Sequence, residues 1–129
     1  AWPQKVREIS GGGVPVVYDS VGKDTFEQSL DCLKPRGLMV SFGNSSGPVE
    51  PFSLSILAAK GSLFITRPTL AHYTSARQEL QETADDLFAV LQSGAVKVAI
   101  NQRFALKDAA KAHEALASRQ TIGATVLVP

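Results

Sequence analysis

Three short apolar runs, VPVVYDS (14–20), GLMVSFG (37–43) and SLFIT (62–66), recur with helix-length segments between them. None alternates apolar with polar residues, as a strand with one wet face would. Continuous runs of this length are expected of strands buried on both faces of a parallel sheet. The intervening segments agree. DTFEQSLDCLKPRG (24–37) places Phe26, Leu30 and Leu33 on one helical stripe, and Asp24 with Glu27 has capping-box spacing. Pro35 and Gly37 are expected to stop that helix, and a short helical turn is expected within 53–59. Before the first run, WPQKVREIS reads as a helix with Pro3 in its first turn, ended by Gly11-Gly12-Gly13. The order is therefore strand, helix, strand, helix, strand, the pattern of βαβ units.

Past Arg67-Pro68 the character changes. SARQELQETADDLFAVLQSG (75–94) spaces Leu80, Ala84, Leu87 and Leu91 along one face of a long helix closed by Gly94. VKVAINQRFA reads as a weak strand. LKDAAKAHEALASR (106–119) is a second amphipathic helix with Leu106, Ala109, Ala110, His113, Leu116 and Ala117 inward, and TIGATVLVP (121–129) is a last strand. The joint is expected near 66–70. Three parallel strands make a poor independent sheet, and the chain opens on a helix without a Met. It is read as the second half of something larger.

The totals exclude several functions. Thirteen Lys and Arg against twelve Asp and Glu leave a net charge of +1, without basic runs, so the footprint of a nucleic-acid binder is absent. Cys32 is the only cysteine, and His72 and His113 lie far apart without a ligand rhythm, so no metal site is expected. No apolar run approaches the ~20 residues of a membrane span. A reducing, cytoplasmic setting fits.

Ligands of open α/β sheets sit beyond the carboxyl ends of the strands. Here those ends are Asp19-Ser20-Val21-Gly22, Gly43-Asn44-Ser45-Ser46-Gly47 and Thr66-Arg67-Pro68. Glycine at 22 and 43 permits close backbone approach, and Asn44, Ser45 and Ser46 offer hydrogen-bonding groups without bulk. Strand-to-helix turns are rich in these residues whatever they do, so composition alone reads first as a turn. No phosphate-loop motif occurs. Asp19 as a phosphoacceptor would need further carboxylates for Mg²⁺, which the other strand ends lack. His113 on its apolar stripe reads as a core histidine, Cys32 as a small buried hydrophobe, and Arg119 as a helix-end cation.

VVYDSVGKDTFEQSLDCLKPRGLMVSFGNSSG, followed by KGSLFITRPTL and the ending FALKDAAKAHEALASRQTIGATVLVP, resembles the C-terminal half of bacterial NADPH-dependent quinone oxidoreductases. These form the zinc-free, zeta-crystallin-like branch of the medium-chain dehydrogenase/reductase superfamily. The resemblance implies an α/β fold: the second half of a Rossmann-type doubly wound parallel sheet, then the C-terminal helical and mixed part of the catalytic domain. It implies that residues 1–66 complete the nucleotide-binding domain and 67–129 return to the catalytic domain. It implies a cofactor, NADPH, met by Ser20, Val21, Phe42, Gly43, Asn44, Ser45, Thr66, Arg67, Pro68 and Arg119, with a quinone as acceptor. No catalytic proton donor is identified. A homodimer through the edge strand 62–66 is expected, and little activity from these 129 residues alone. Many relatives carry Gly-Lys where this chain has Gly123-Ala124, so no role passes to a lysine there. Other zinc-free reductases acting on enones or alcohols, and a non-catalytic nucleotide-binding or dimerisation module, remain open as alternatives.

Overall fold

The computed structural model describes residues 2–129. Two compact units part after Ser75; the second is Ala76–Pro129. In the first, helix α1 (Trp2–Ser10) leads to strand β1 (Val14–Asp19), helix α2 (Phe26–Asp31), strand β2 (Leu33–Ser41), helix α3 (Ser55–Ala59), strand β3 (Phe64–Thr66) and the short helix α4 (Leu70–Tyr73). The strands form one parallel sheet in the order β1-β2-β3. All three carboxyl ends consequently share one rim.

The register explains the core. Val17 pairs with Met39 and Met39 with Ile65, giving one apolar row across the sheet. Phe26 and Leu30 of α2, with Ile56 and Leu57 of α3, belong to the same cluster as that row. Met39 is fully buried and Leu30 nearly so. The next row, Val16–Leu38–Phe64, faces the other way, because side chains alternate across a strand. Val16, Tyr18 and Phe64 are exposed. β1 was expected to be buried on both faces; within this unit it is covered on one, the face toward α2 and α3.

Helix α2 is shorter than its stripe suggests. Leu33, read as helical, instead opens β2 opposite Val14, where it is buried. Lys34–Gly37 form an irregularity before pairing resumes at Val16 and Leu38. There Arg36 takes a left-handed conformation, φ 61°, and its N–H donates to the Gly61 carbonyl at 2.7 Å. Proline and glycine thus end the helix early and are absorbed as a bulge. The Asp24–Glu27 capping box does not form: Thr25 is the cap residue, and its hydroxyl is used elsewhere.

In the second unit, helix α5 (Arg77–Gln92) is followed by strand β4 (Ile100–Ala105), a 3₁₀ turn at Leu106–Asp108, helix α6 (Ala109–Ala117) and strand β5 (Ala124–Val128). The strands pair in parallel, with α6 as the crossover. The Ala76 N–H donates to the Glu79 carboxylate at 2.9 Å, closing the first turn of α5. The face of α6 that packs is its alanine face: Ala112 is buried, Ala109 and Ala115 half-buried. His113 is exposed, correcting its reading as a core histidine; so are Leu106, Ala110, Leu116 and Ala117. Small residues allow the close helix-to-strand approach that the larger apolar ones would block. No helix among the described residues is long and apolar enough to cross a membrane.

Leu30→Ala should lower the unfolding free energy of the first unit by about 2–5 kcal/mol, the usual range for a fully buried leucine. The exposed Leu54→Ala should change it by no more than ~0.5 kcal/mol. Trp2 is the single tryptophan and lies in this unit, so its fluorescence during urea unfolding reports both values.

Candidate functional site

The candidate site is the carboxyl rim of the first sheet, and its foundation is a buried carboxylate. Asp19, the last residue of β1, is 4% exposed. Its Oδ1 accepts the N–H groups of Val21 at 2.8 Å and Gly22 at 3.0 Å. Its Oδ2 accepts the hydroxyls of Thr25 and Ser29, each at 2.7 Å. The side chain therefore curls the chain leaving β1 into a tight turn and pins the start of α2 beneath it. Burial alone would raise the pKa of Asp19. The hydrogen bonds from Gly22, Ser29, Thr25 and Val21 outweigh it and hold the carboxyl below the usual 3.8.

The turn after β2 is joined to this one main chain to main chain. The Phe42 N–H donates to the Asp19 carbonyl at 2.9 Å, Ser45 N–H to Ser20 at 3.2 Å and Ser46 N–H to Val21 at 2.9 Å. In return the Lys23 N–H donates to the Gly47 carbonyl at 3.1 Å. The Ser46 hydroxyl donates to the Val21 carbonyl at 2.8 Å and accepts the Asp24 N–H at 3.1 Å. The glycines are needed for this closeness. A Cβ at Gly43 would lie 2.4 Å from the Ser20 carbonyl oxygen, and one at Gly22 2.6 Å from that of Gly47. Gly22 also has φ 88°, favouring glycine on conformational grounds.

The sequence reading was that these glycines let a ligand approach; here each makes room for the neighbouring turn. Ser45 and Ser46 have likewise committed their N–H groups, and Ser46 its hydroxyl. What the turns present outward are the side chains of Ser20, Asn44 and Ser45, all exposed, and the half-exposed ring of Phe42. The Phe42 ring meets Tyr18 edge-on, centroids 6.4 Å apart and planes at 72°. Val21 and Gly43 are partly covered.

The third strand end is tied in by a side chain. Arg67 Nη1 donates to the Ser41 carbonyl at 2.8 Å, the last residue of β2. Thr66 is exposed and Pro68 half-buried beside it. Nine expected residues thus lie at the strand ends of this one sheet: Ser20, Val21, Phe42, Gly43, Asn44, Ser45, Thr66, Arg67 and Pro68. Arg119 belongs to the second unit, just past α6. There its N–H donates to the Leu116 carbonyl and that of Gln120 to Ala115, and Arg119 has φ 58°. This is a Schellman-type helix end with arginine where glycine is usual.

Thr25 and Ser29 are supporting residues that the sequence reading passed over, and it weighed Asp19 only as a strand end and phosphoacceptor and Ser46 only as a hydrogen-bonding group of the rim, not as what holds the turns. Their signal was present: an aspartate closing an apolar strand, then hydroxyls six and ten residues on. Cys32 is buried, its thiol donating to the Gln28 carbonyl at 3.4 Å. Burial and the nearby Asp31 charge push the thiol pKa up against the pull of Arg7, the reverse of an activated nucleophile. Among the described residues no three His, Cys, Asp or Glu lie together to hold a metal.

Comparison with known proteins gives the same frame a lineage. Residues 3–127 match the family described as zinc-binding dehydrogenase. The quinone oxidoreductase of Pseudomonas aeruginosa is 57% identical over 98% of this chain and 39% of its own length. The crystal structure of Escherichia coli quinone oxidoreductase complexed with NADPH superposes with a TM-score of 0.91 at 53% identity, over all of this chain and 40% of that one. A 2-haloacrylate reductase from a Burkholderia species is 49% identical over 96% of the chain and 38% of its own length. The chain thus spans about two fifths of the length of the relatives it matches.

Because the pKa of Asp19 is depressed, its carboxylate adds stability that is complete above pH 3.8 and lost as pH falls through the lower folded value. Asp19→Asn should cost about 1–3 kcal/mol at pH 7, with the gap to wild type narrowing below pH 3.8. Urea unfolding of both proteins at pH 7 and at pH 3 measures this.

Proposed function

Since the chain belongs to the zinc-binding dehydrogenase family, we propose that it is the nucleotide-facing part of a reductase that passes reducing equivalents from NADPH to a quinone. The observation that carries this reading is the rim itself. Three parallel strand ends are fixed to one another, and they present the flat Phe42 ring beside the exposed polar side chains of Ser20, Asn44 and Ser45. That combination fits a planar ring bearing an amide. The high identity to quinone oxidoreductases over nearly the whole chain supports the acceptor class.

In this reading Phe42 flanks the nicotinamide, and Asn44 and Ser45 hydrogen-bond its carboxamide. Ser20 and Val21 border the cofactor, Gly43 lies between the two turns beside it, and Thr66, Arg67 and Pro68 close the third side. Arg119 answers the cofactor from the C-terminal section. NADPH, when bound, supplies the hydride; the chain's contribution is orientation and a fixed polar surround. The described residues offer no zinc ligand set. Residues 1–66 are assigned to the nucleotide-binding domain, 67–129 to the catalytic domain, and the working protein to the cytoplasm. A homodimer through 62–66 is part of the same reading, since β3 pairs only with β2 among the described residues and leaves its other edge open; sedimentation of the full reductase as a monomer would remove it. The second reading is another zinc-free reductase, with an activated carbon–carbon double bond as acceptor, favoured by the likeness to the 2-haloacrylate reductase.

Arg119 gives a test with opposite signs. Its left-handed conformation is costly for any residue with a Cβ. Arg119→Gly should therefore raise the stability of the second unit by roughly 1 kcal/mol. If the side chain serves the cofactor, the same change should raise the KM for NADPH at least about tenfold in the full reductase. Calorimetry and steady-state NADPH oxidation with a simple quinone read the two effects. A more stable variant with unchanged KM would take Arg119 out of the site.

A further inference from the structure

The side-chain hydrogen bonds of Asp19 reach only its own turn and α2, yet three carbonyls of that turn hold the next one in place. Its carboxylate fixes the N–H groups of Val21 and Gly22 and the hydroxyls of Thr25 and Ser29. The carbonyls so oriented, those of Asp19, Ser20 and Val21, are the acceptors for Phe42, Ser45 and Ser46. Among the described hydrogen bonds no side chain of 42–45 reaches across to the first turn, and the side-chain link between the turns is the Ser46 hydroxyl.

We propose that Asp19 is a positioning residue for the 42–47 turn, acting through main-chain hydrogen bonds, and that Ser46 is the clasp through which the two turns move as one. The assignment bears on function through the cofactor reading above, in which Phe42, Asn44 and Ser45 face the nicotinamide. The geometry makes a specific demand. The second turn has no internal ladder of its own: among the described bonds it keeps only the Gly47 N–H to Asn44 carbonyl at 3.0 Å. A segment so poor in internal bonds owes its order to what it is fastened to. Replacing a carboxylate that never touches it should therefore loosen it.

Amide hydrogen exchange of this chain tests the coupling without any ligand. Asp19→Ala should speed exchange at Phe42, Ser45, Ser46 and Lys23 by at least about tenfold more than at Met39 in β2, with Val126 in β5 unchanged. Asp19→Asn, which retains an acceptor for Val21 and Gly22 and an amide for the two hydroxyls, should restore most of the protection. Acceleration confined to 21–29 would overturn the inference, and so would equal acceleration throughout β2, which would make Asp19 a support of the whole unit. Should Asp19→Ala fail to fold, Ser46→Ala cuts the clasp from the other side. It should speed exchange at Val21 and Gly22 as well as Asp24, and unchanged rates at Val21 and Gly22 would overturn the coupling. Repeating the wild-type measurement with NADPH separates this from the functional reading. Coupled turns whose 42–46 amides show no added protection from NADPH in the full reductase would sink the cofactor assignment and leave the inference about Asp19 standing.

Discussion

A carboxylate buried at the end of a strand must be surrounded by donors or it will not stay charged, and Asp19 gathers four. Meeting that requirement shapes the rim. It decides where the chain turns after β1, where α2 begins, and which way three carbonyls point. A neutral apolar residue there would leave two hydroxyls and two N–H groups to find other partners. The fold thus rests on an electrostatic requirement at the very place where the sheet's hydrophobic pairing runs out.

Much of this was legible beforehand. Three continuous apolar runs gave the parallel sheet, and glycine and proline gave most of its joints. The limits of legibility fall at particular residues. Leu33 fits a helical stripe and a strand equally well; only pairing with Val14 decides, and pairing is not local. His113 sits among apolar residues, yet the packed face of α6 is its alanine face, because contact distance matters more there than hydrophobicity. Gly22 and Gly43 were read correctly as places of close approach, but sequence does not say what approaches. The residues flanking the expected site were placed on one rim by topology alone, whereas the holding role of Asp19 and Ser46 was missed, because Asp19 spends its carboxylate on its own turn and helix and Ser46 bonds main-chain atoms distant in sequence.

The covering of the outer strands β1 and β3 is one-sided. The row Val17–Met39–Ile65 is packed under helices, while Val16, Tyr18 and Phe64 on the reverse are exposed. An apolar sheet face of this kind is an aggregation hazard in isolation. Most of the buried core of the first unit lies on one face of its sheet, and the chemistry proposed for it at one end.

The four main-chain bonds between the turns have one more consequence, for inheritance rather than for mechanics. Main-chain atoms are the same whatever residue bears them, so positions 20, 21, 44 and 45 carry side chains that the fastening does not consult. The residues it does consult are few: Asp19, Gly22, Gly43 and Ser46. Holding and choosing are thereby written into different letters of the chain. A lineage built on this rim can revise what it presents to a ligand one residue at a time, without first dismantling the support beneath.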